Sequence, residues 1–154
     1  MAVYAIRLAL AFVVGFVVGI VSARDDRNKS SRDFALICLC SALISIMAGG
    51  VIESMDIPLV GDPLRLPAQI ISALGFLGTG MMWVSRENRV QGITRAASLW
   101  LTAILGLLIG AGLFETSLIG LIFLVLIYLI SPPIERYLIN FRRWLMRHRG
   151  TKTG

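Results

Sequence analysis

Charge is what this sequence is short of: Asp, Glu, Lys and Arg make up only 16% of its 154 residues. Soluble domains carry roughly 25% charged residues. With 56% of its residues hydrophobic, the chain holds more apolar surface than one soluble core can enclose, which excludes a soluble enzyme or a soluble nucleic-acid-binding domain. Histidine is nearly missing too. The single one, His148, stands in a basic C-terminal stretch, and no nucleophile has a general base at useful spacing, so catalysis is not expected. Cysteine is limited to Cys38 and Cys40, inside one apolar run that offers neither a disulfide partner nor further metal ligands. They read as small packing residues, and no cofactor or metal is expected.

Long apolar runs are what the sequence does have. Five can be cut out, at residues 4–23, 34–51, 66–84, 96–114 and 117–130. At ~1.5 Å per residue the first four match a hydrocarbon core of about 30 Å, and the fifth is shorter. The expected fold is an all-α membrane protein: a five-helix transmembrane domain over 1–133, then a basic amphipathic tail over 134–154. The first run reads as a span rather than a signal peptide. It is longer than a usual apolar signal core, and its N-terminal end holds a single base, Arg7.

The distribution of the bases sets the orientation. Thirteen of the fifteen fall in the first loop, the third loop and the tail, all on one side of a five-span protein; only Arg7 and Arg65 fall on the other. The positive-inside rule places the N-terminus outside and the tail in the cytoplasm. A net charge of +6 distributed in this way points to anionic lipid and not to nucleic acid.

Several residues stand out along the chain. Gly15 and Gly19 form a small-xxx-small pair in the first span, suited to close helix approach. Asp62 followed by Pro63 reads as the N-terminal cap of the third span. On that span Ala68, Ser72, Gly75 and Thr79 share one narrow face, with Gln69 and Phe76 beside it and Gly78 nearby. A face so small and polar reads as a helix-packing face or the lining of a cavity. Thr94 is a candidate cap for the fourth span, where Gly106 and Gly110 form a second small-residue stripe expected to pack on the third span. Glu115 and Thr116 leave room only for a tight turn, so the fourth and fifth spans should form an antiparallel hairpin. After Ser131-Pro132-Pro133 a new helix is expected. Its basic face (Arg136, Arg143, Arg147) and its aromatic anchor Trp144 would rest on the anionic lipids of the cytoplasmic leaflet.

The segment Asp62-Pro63-x-Arg65-x-x-Ala68-Gln69-x-x-Ser72-x-x-Gly75-Phe76-Leu77-Gly78-x-Gly80, then Val90-x-Gly92-Ile93-Thr94-x-Ala96-Ala97-x-x-Trp100, resembles the MgtC/SapB family of bacterial inner-membrane proteins. Arg7 and the Gly15/Gly19 pair fit the same pattern. The resemblance covers about residues 5 to 115 and implies a five-helix bundle in a bacterial inner membrane. It also implies a link to growth in scarce magnesium and to virulence. Members of that family are proposed to be accessory proteins acting on other membrane machinery, the ATP synthase among them. The chain departs from the pattern in its cytoplasmic loops. Val21-Ser22-Ala23 replaces a Glu-Arg-Glu-like cluster, and Ser30-Ser31-Arg32-Asp33-Phe34 stands for Gly-Leu-Arg-Thr-His. Ala73 replaces a glycine, and Arg95 a threonine. The soluble C-terminal domain of longer members is expected to be absent, so roles resting on it are not carried over.

Two functional classes follow. An accessory or regulatory protein would use its small-residue faces to contact another membrane protein or a second copy of itself. A magnesium carrier would hold carboxylates at membrane depth, yet none of the five runs contains Asp or Glu, and Glu53, Asp56, Asp62 and Glu115 all fall at the outer rim. An oligomeric pore lined by Gln69, Ser72 and Thr79 is the alternative. Any polar site is expected at that rim, formed by Arg7, Asp62, Arg65 and Gln69, with Asp62 as the partner of Arg7.

Overall fold

A computed structural model describes residues 1–22, 31–54, 62 and 65–149, with side chains described for all of these except 51–54 and 135–149. The helices are α1 (Ala2–Ser22), α2 (Ser31–Ser54), α3 (Arg65–Gly80), α4 (Ile93–Ala111) and α5 (Phe114–Arg149); a two-residue hairpin of β1 (Trp83–Val84) and β2 (Val90–Gln91) follows α3. Stretches of α1, α2, α4 and α5 are long and apolar enough to cross a membrane. The chain is a multi-pass, all-α membrane protein, as its composition requires.

The α2 helix is the centre of the bundle, packed between α1 and α4. Glycines make both contacts possible. A Cβ on Gly15 would lie 2.7 Å from the Cα of Ala35, and one on Gly19 would lie 2.6 Å from the Cα of Ser31. On the other side a Cβ on Gly110 would sit 2.5 Å from the Ala42 carbonyl oxygen, and one on Gly106 would collide with the carbonyl oxygen of Cys38. Helix backbones this close gain dispersion contacts, which drive association where lipid is as apolar as the side chains. Hydroxyls strengthen the same seams: Ser45 Oγ on α2 donates to the Leu107 carbonyl of α4 at 2.8 Å. Cys38 is fully buried in this packing, whereas Cys40 is exposed.

The structure corrects four boundaries. The third helix ends at Gly80 instead of Val84, because Trp83–Val84 pairs with Val90–Gln91 around a turn in which Asn88 takes a positive φ of 58°. At 16 residues α3 is only about 24 Å long, shorter than the four other helices. Second, α4 begins at Ile93 and is not capped by Thr94. Gly92 is its N-cap, at φ 89° with no side-chain cap, and its bare Cα faces the Met81 carbonyl, where a Cβ would clash. The returning strand thus enters α4 directly, which only glycine permits.

Third, α4 ends at Ala111 and not at Phe114. Gly112, at φ 87°, donates to the Ile109 carbonyl, and Leu113 donates to that of Leu108. This double bond pattern closes a helix C-terminus on a left-handed residue. It leaves only Gly112 and Leu113 before α5, and α4 and α5 do form the expected hairpin. Fourth, α5 runs unbroken through Pro132 and Pro133 to Arg149, so no new helix starts at Ile134. Proline removes amide donors but its fixed φ is helical, and the chain can continue through it. The side chains of Arg136, Arg143, Trp144 and Arg147 lie outside those described. So do the first-loop bases Arg24, Arg27 and Lys29, and the outer-loop residues Glu53, Asp56 and Pro63.

Candidate functional site

Near the start of α1, Arg7 meets the C-terminal end of α4. Its Nη1 donates to the Gly110 carbonyl at 2.8 Å, one of the carbonyls that the end of α4 leaves without an intrahelical donor. The guanidinium carbon lies 5.9 Å from the Tyr4 ring centroid and 6.0 Å from that of Phe114. The negative end of the α4 dipole and two ring faces therefore hold this cation. Where the sequence points Arg7 to Asp62, the acceptor that the structure shows for its Nη1 is the Gly110 carbonyl. Asp62, Arg65 and Gln69 stand exposed around the start of α3, where the Asp62 carbonyl accepts from Arg65 N at 3.2 Å. Arg7 thus ties α1 to the end of α4.

The packing face expected on the third and fourth spans also divides. Gly106 and Gly110 press on α2 and not on α3. Gly78 is buried, with the Ala96 side chain 3.7 Å from where its Cβ would be. Ala68, Ser72, Gly75 and Thr79 are exposed, Gly75 has nothing within 4 Å of a built Cβ, and Phe76 beside them is 81% exposed. The reason is area. Leu74 and Gly78 lie one turn apart, and with Ile70 and Met81 they form a larger apolar stripe that turns to the bundle and leaves the small-residue face outside.

The opposite end of the bundle, where α1 ends and α4 begins, holds the polar geometry that the sequence left unread. Ser98 Oγ on α4 donates to the Thr94 carbonyl at 2.8 Å and lies 2.6 Å from Tyr128 Oη on α5; its single proton is committed, so Tyr128 donates to it. Ser22 Oγ on α1 lies 3.1 Å from the same Tyr128 oxygen. Three helices are tied together by these hydroxyls. Nearer the rim, Arg95 Nη2 on α4 contacts Asp33 Oδ2 on α2 at 3.3 Å. These two charged residues border a cavity of about 420 Å³ whose walls include Ile37, Leu77, Met81, Trp83 and Leu99.

The signal for the pair was present in the sequence but divided. Asp33 and Arg95 both depart from the pattern of the family that the chain resembles, and each stands where that pattern has a threonine. Only the fold shows that the two departures face one another. Among the described residues no group of three or more His, Cys, Asp or Glu is placed to hold a metal.

Comparisons with known proteins point to one family. The MgtC family pattern matches residues 8–137. YhiD of Escherichia coli K12, a proposed magnesium transporter by its name, is 32% identical over 139 residues, which are 89% of this chain and 64% of YhiD. Protein SrpB of Synechococcus elongatus is 34% identical over 127 residues, 78% of this chain and 70% of SrpB. Protein MgtC of Brucella abortus is 31% identical over 131 residues, 85% of this chain and 52% of that protein. The chain thus spans between 52% and 70% of the length of these relatives. No solved structure matches it. A family pattern running from α1 into α5, together with relatives that cover most of the chain, establishes that this protein belongs to the MgtC family.

Proposed function

We propose that this chain acts in magnesium homeostasis as a non-enzymatic accessory protein of a bacterial inner membrane, with its N-terminus outside and its C-terminus in the cytoplasm. It works by contact of α3 with another membrane protein or with a second copy of itself. The observation that carries this reading is the exposed face of Ala68, Ser72, Gly75 and Thr79. Gly15, Gly19, Gly106 and Gly110 are covered by the backbone of α2, whereas this face of α3 is bare. Close approach of a partner helix is what such a face accommodates. The orientation is supported by the distribution of bases, thirteen to two, and the magnesium link by family membership.

The test measures magnesium entry into liposomes holding only this protein, with an ion-sensitive dye inside. No flux above empty liposomes is expected. Growth in scarce magnesium should depend on the protein and be lost in Ser72→Leu or Gly75→Leu, with membrane insertion intact. The second reading is an oligomeric magnesium transporter. The name of YhiD favours it, and Gln69, Ser72 and Thr79 would line its pore. Saturable flux that disappears in Gln69→Leu would establish it in place of the first.

A further inference from the structure

The cavity at the inner rim is apolar along its walls and, among the described residues, carries one charge of each sign. Ile37 of α2, Leu77 of α3 and Leu99 of α4 provide hydrocarbon, and Asp33 and Arg95 border it together. Its position is where lipid headgroups meet a bundle, since α2 and α4 begin there and α3 ends there. Trp83 lines the same space, and its amphipathic ring is of the type found at headgroup level.

The ion pair itself is not saturated. The contact is a single one, Nη2 to Oδ2 at 3.3 Å, whereas a guanidinium and a carboxylate can pair through two parallel bonds. Arg95 Nε has no acceptor among the described residues. The Asp33 side chain is 49% exposed, so one face of its carboxylate is open. A purely anionic ligand would meet the repulsion of Asp33, and a purely cationic one that of Arg95. A ligand that brings both charges, a few ångström apart and attached to an apolar chain, re-pairs both groups.

We propose that this cavity binds the headgroup of an ethanolamine phospholipid, with the phosphate on Arg95, the primary ammonium on Asp33 and an acyl chain along Ile37, Leu77 and Leu99. The proposal is independent of the α3 face argued above. It distinguishes ethanolamine from choline, because a quaternary ammonium has no N–H to donate to Asp33. It distinguishes ethanolamine from glycerol headgroups, because the latter leave Asp33 facing an unbalanced phosphate.

The full chain carries three tryptophans, so Trp100→Phe with Trp144→Phe leaves Trp83 as the only one. This variant is placed in lipid nanodiscs containing increasing fractions of brominated phosphatidylethanolamine, phosphatidylcholine or phosphatidylglycerol, and quenching of Trp83 is read. Half-quenching by the ethanolamine lipid is expected at a mole fraction about fivefold below the other two, the effect of one added charge-assisted hydrogen bond. Asp33→Asn should erase the preference over choline. The double exchange Asp33→Arg with Arg95→Asp keeps an ion pair between α2 and α4 but inverts it, and should erase the preference also. Equal quenching by the three lipids, or a preference that survives both variants, would overturn the proposal. So would displacement of the lipid by millimolar soluble phosphoethanolamine, which would show that the acyl chain plays no part.

Discussion

The α1–α2–α4 core and the α3 helix use the same residue type for opposite ends. In the core, Gly15, Gly19, Gly106 and Gly110 lie against the backbone of α2, and none has room for a methyl group. On α3, Gly75 has open space around it. A small-xxx-small stripe therefore records that a helix can be approached closely, and says nothing about which helix approaches. The core glycines belong to the fold, whereas Gly75 of α3 is available to something outside it.

The largest expected effect lies in the core. Gly106→Leu should cost about 3 kcal/mol or prevent folding, because its side chain would enter the backbone of α2 at Cys38. Thermal unfolding in detergent, followed by circular dichroism, measures this. A variant as stable as the parent would break the distinction from the core side.

Arg7→Gln comes next. It removes a cation from the carbonyl end of α4 and should cost about 2 kcal/mol. Because Arg7 has its contacts on α4 and α5, combining it with Asp62→Asn should give additive losses. Coupling of more than about 0.5 kcal/mol in that double-mutant cycle would show an interaction across the outer rim.

Tyr128→Phe tests the end of the core where α1 ends and α4 begins. It removes the hydroxyl that lies within bonding distance of Ser22 and Ser98, and the expected loss is about 1 kcal/mol. Ser98→Ala added to Tyr128→Phe should cost less than the sum of the two alone, since they share one bond. The same unfolding measurement decides it.

The smallest effect on stability should come from the other side of the comparison. Gly75→Leu on the bare α3 face should change stability by less than about 0.5 kcal/mol, despite the larger side chain, while abolishing growth in scarce magnesium. A strong loss of stability there would mean that α3 is covered within its own chain, and would remove the basis of the proposed contact.

The periodicity of small residues explains why this division could not be read from the sequence. Ala68, Ser72, Gly75 and Thr79 repeat as regularly as Gly106 and Gly110 do, and both sets mark one helical face. The side of α3 that turns inward is fixed by Leu74 and its neighbours against α4, a competition in buried area between faces that needs the neighbouring helix to be known. For the same reason Arg7 was assigned the nearest carboxylate at its rim in place of a carbonyl 103 residues away. Helix-end carbonyls leave no trace in composition.

Local chemistry was enough for the rest. Scarce charge and long apolar runs require a membrane because no soluble core could enclose them. The clustering of bases orders the loops, and the Asp62-to-Gly80 pattern points to the family. Which glycines are covered, what partners Arg7 and Tyr128, and that Asp33 meets Arg95 were decided only in the tertiary structure. Each depends on bringing residues far apart in the chain within a few ångström, and that distance is set by the packing of whole helices.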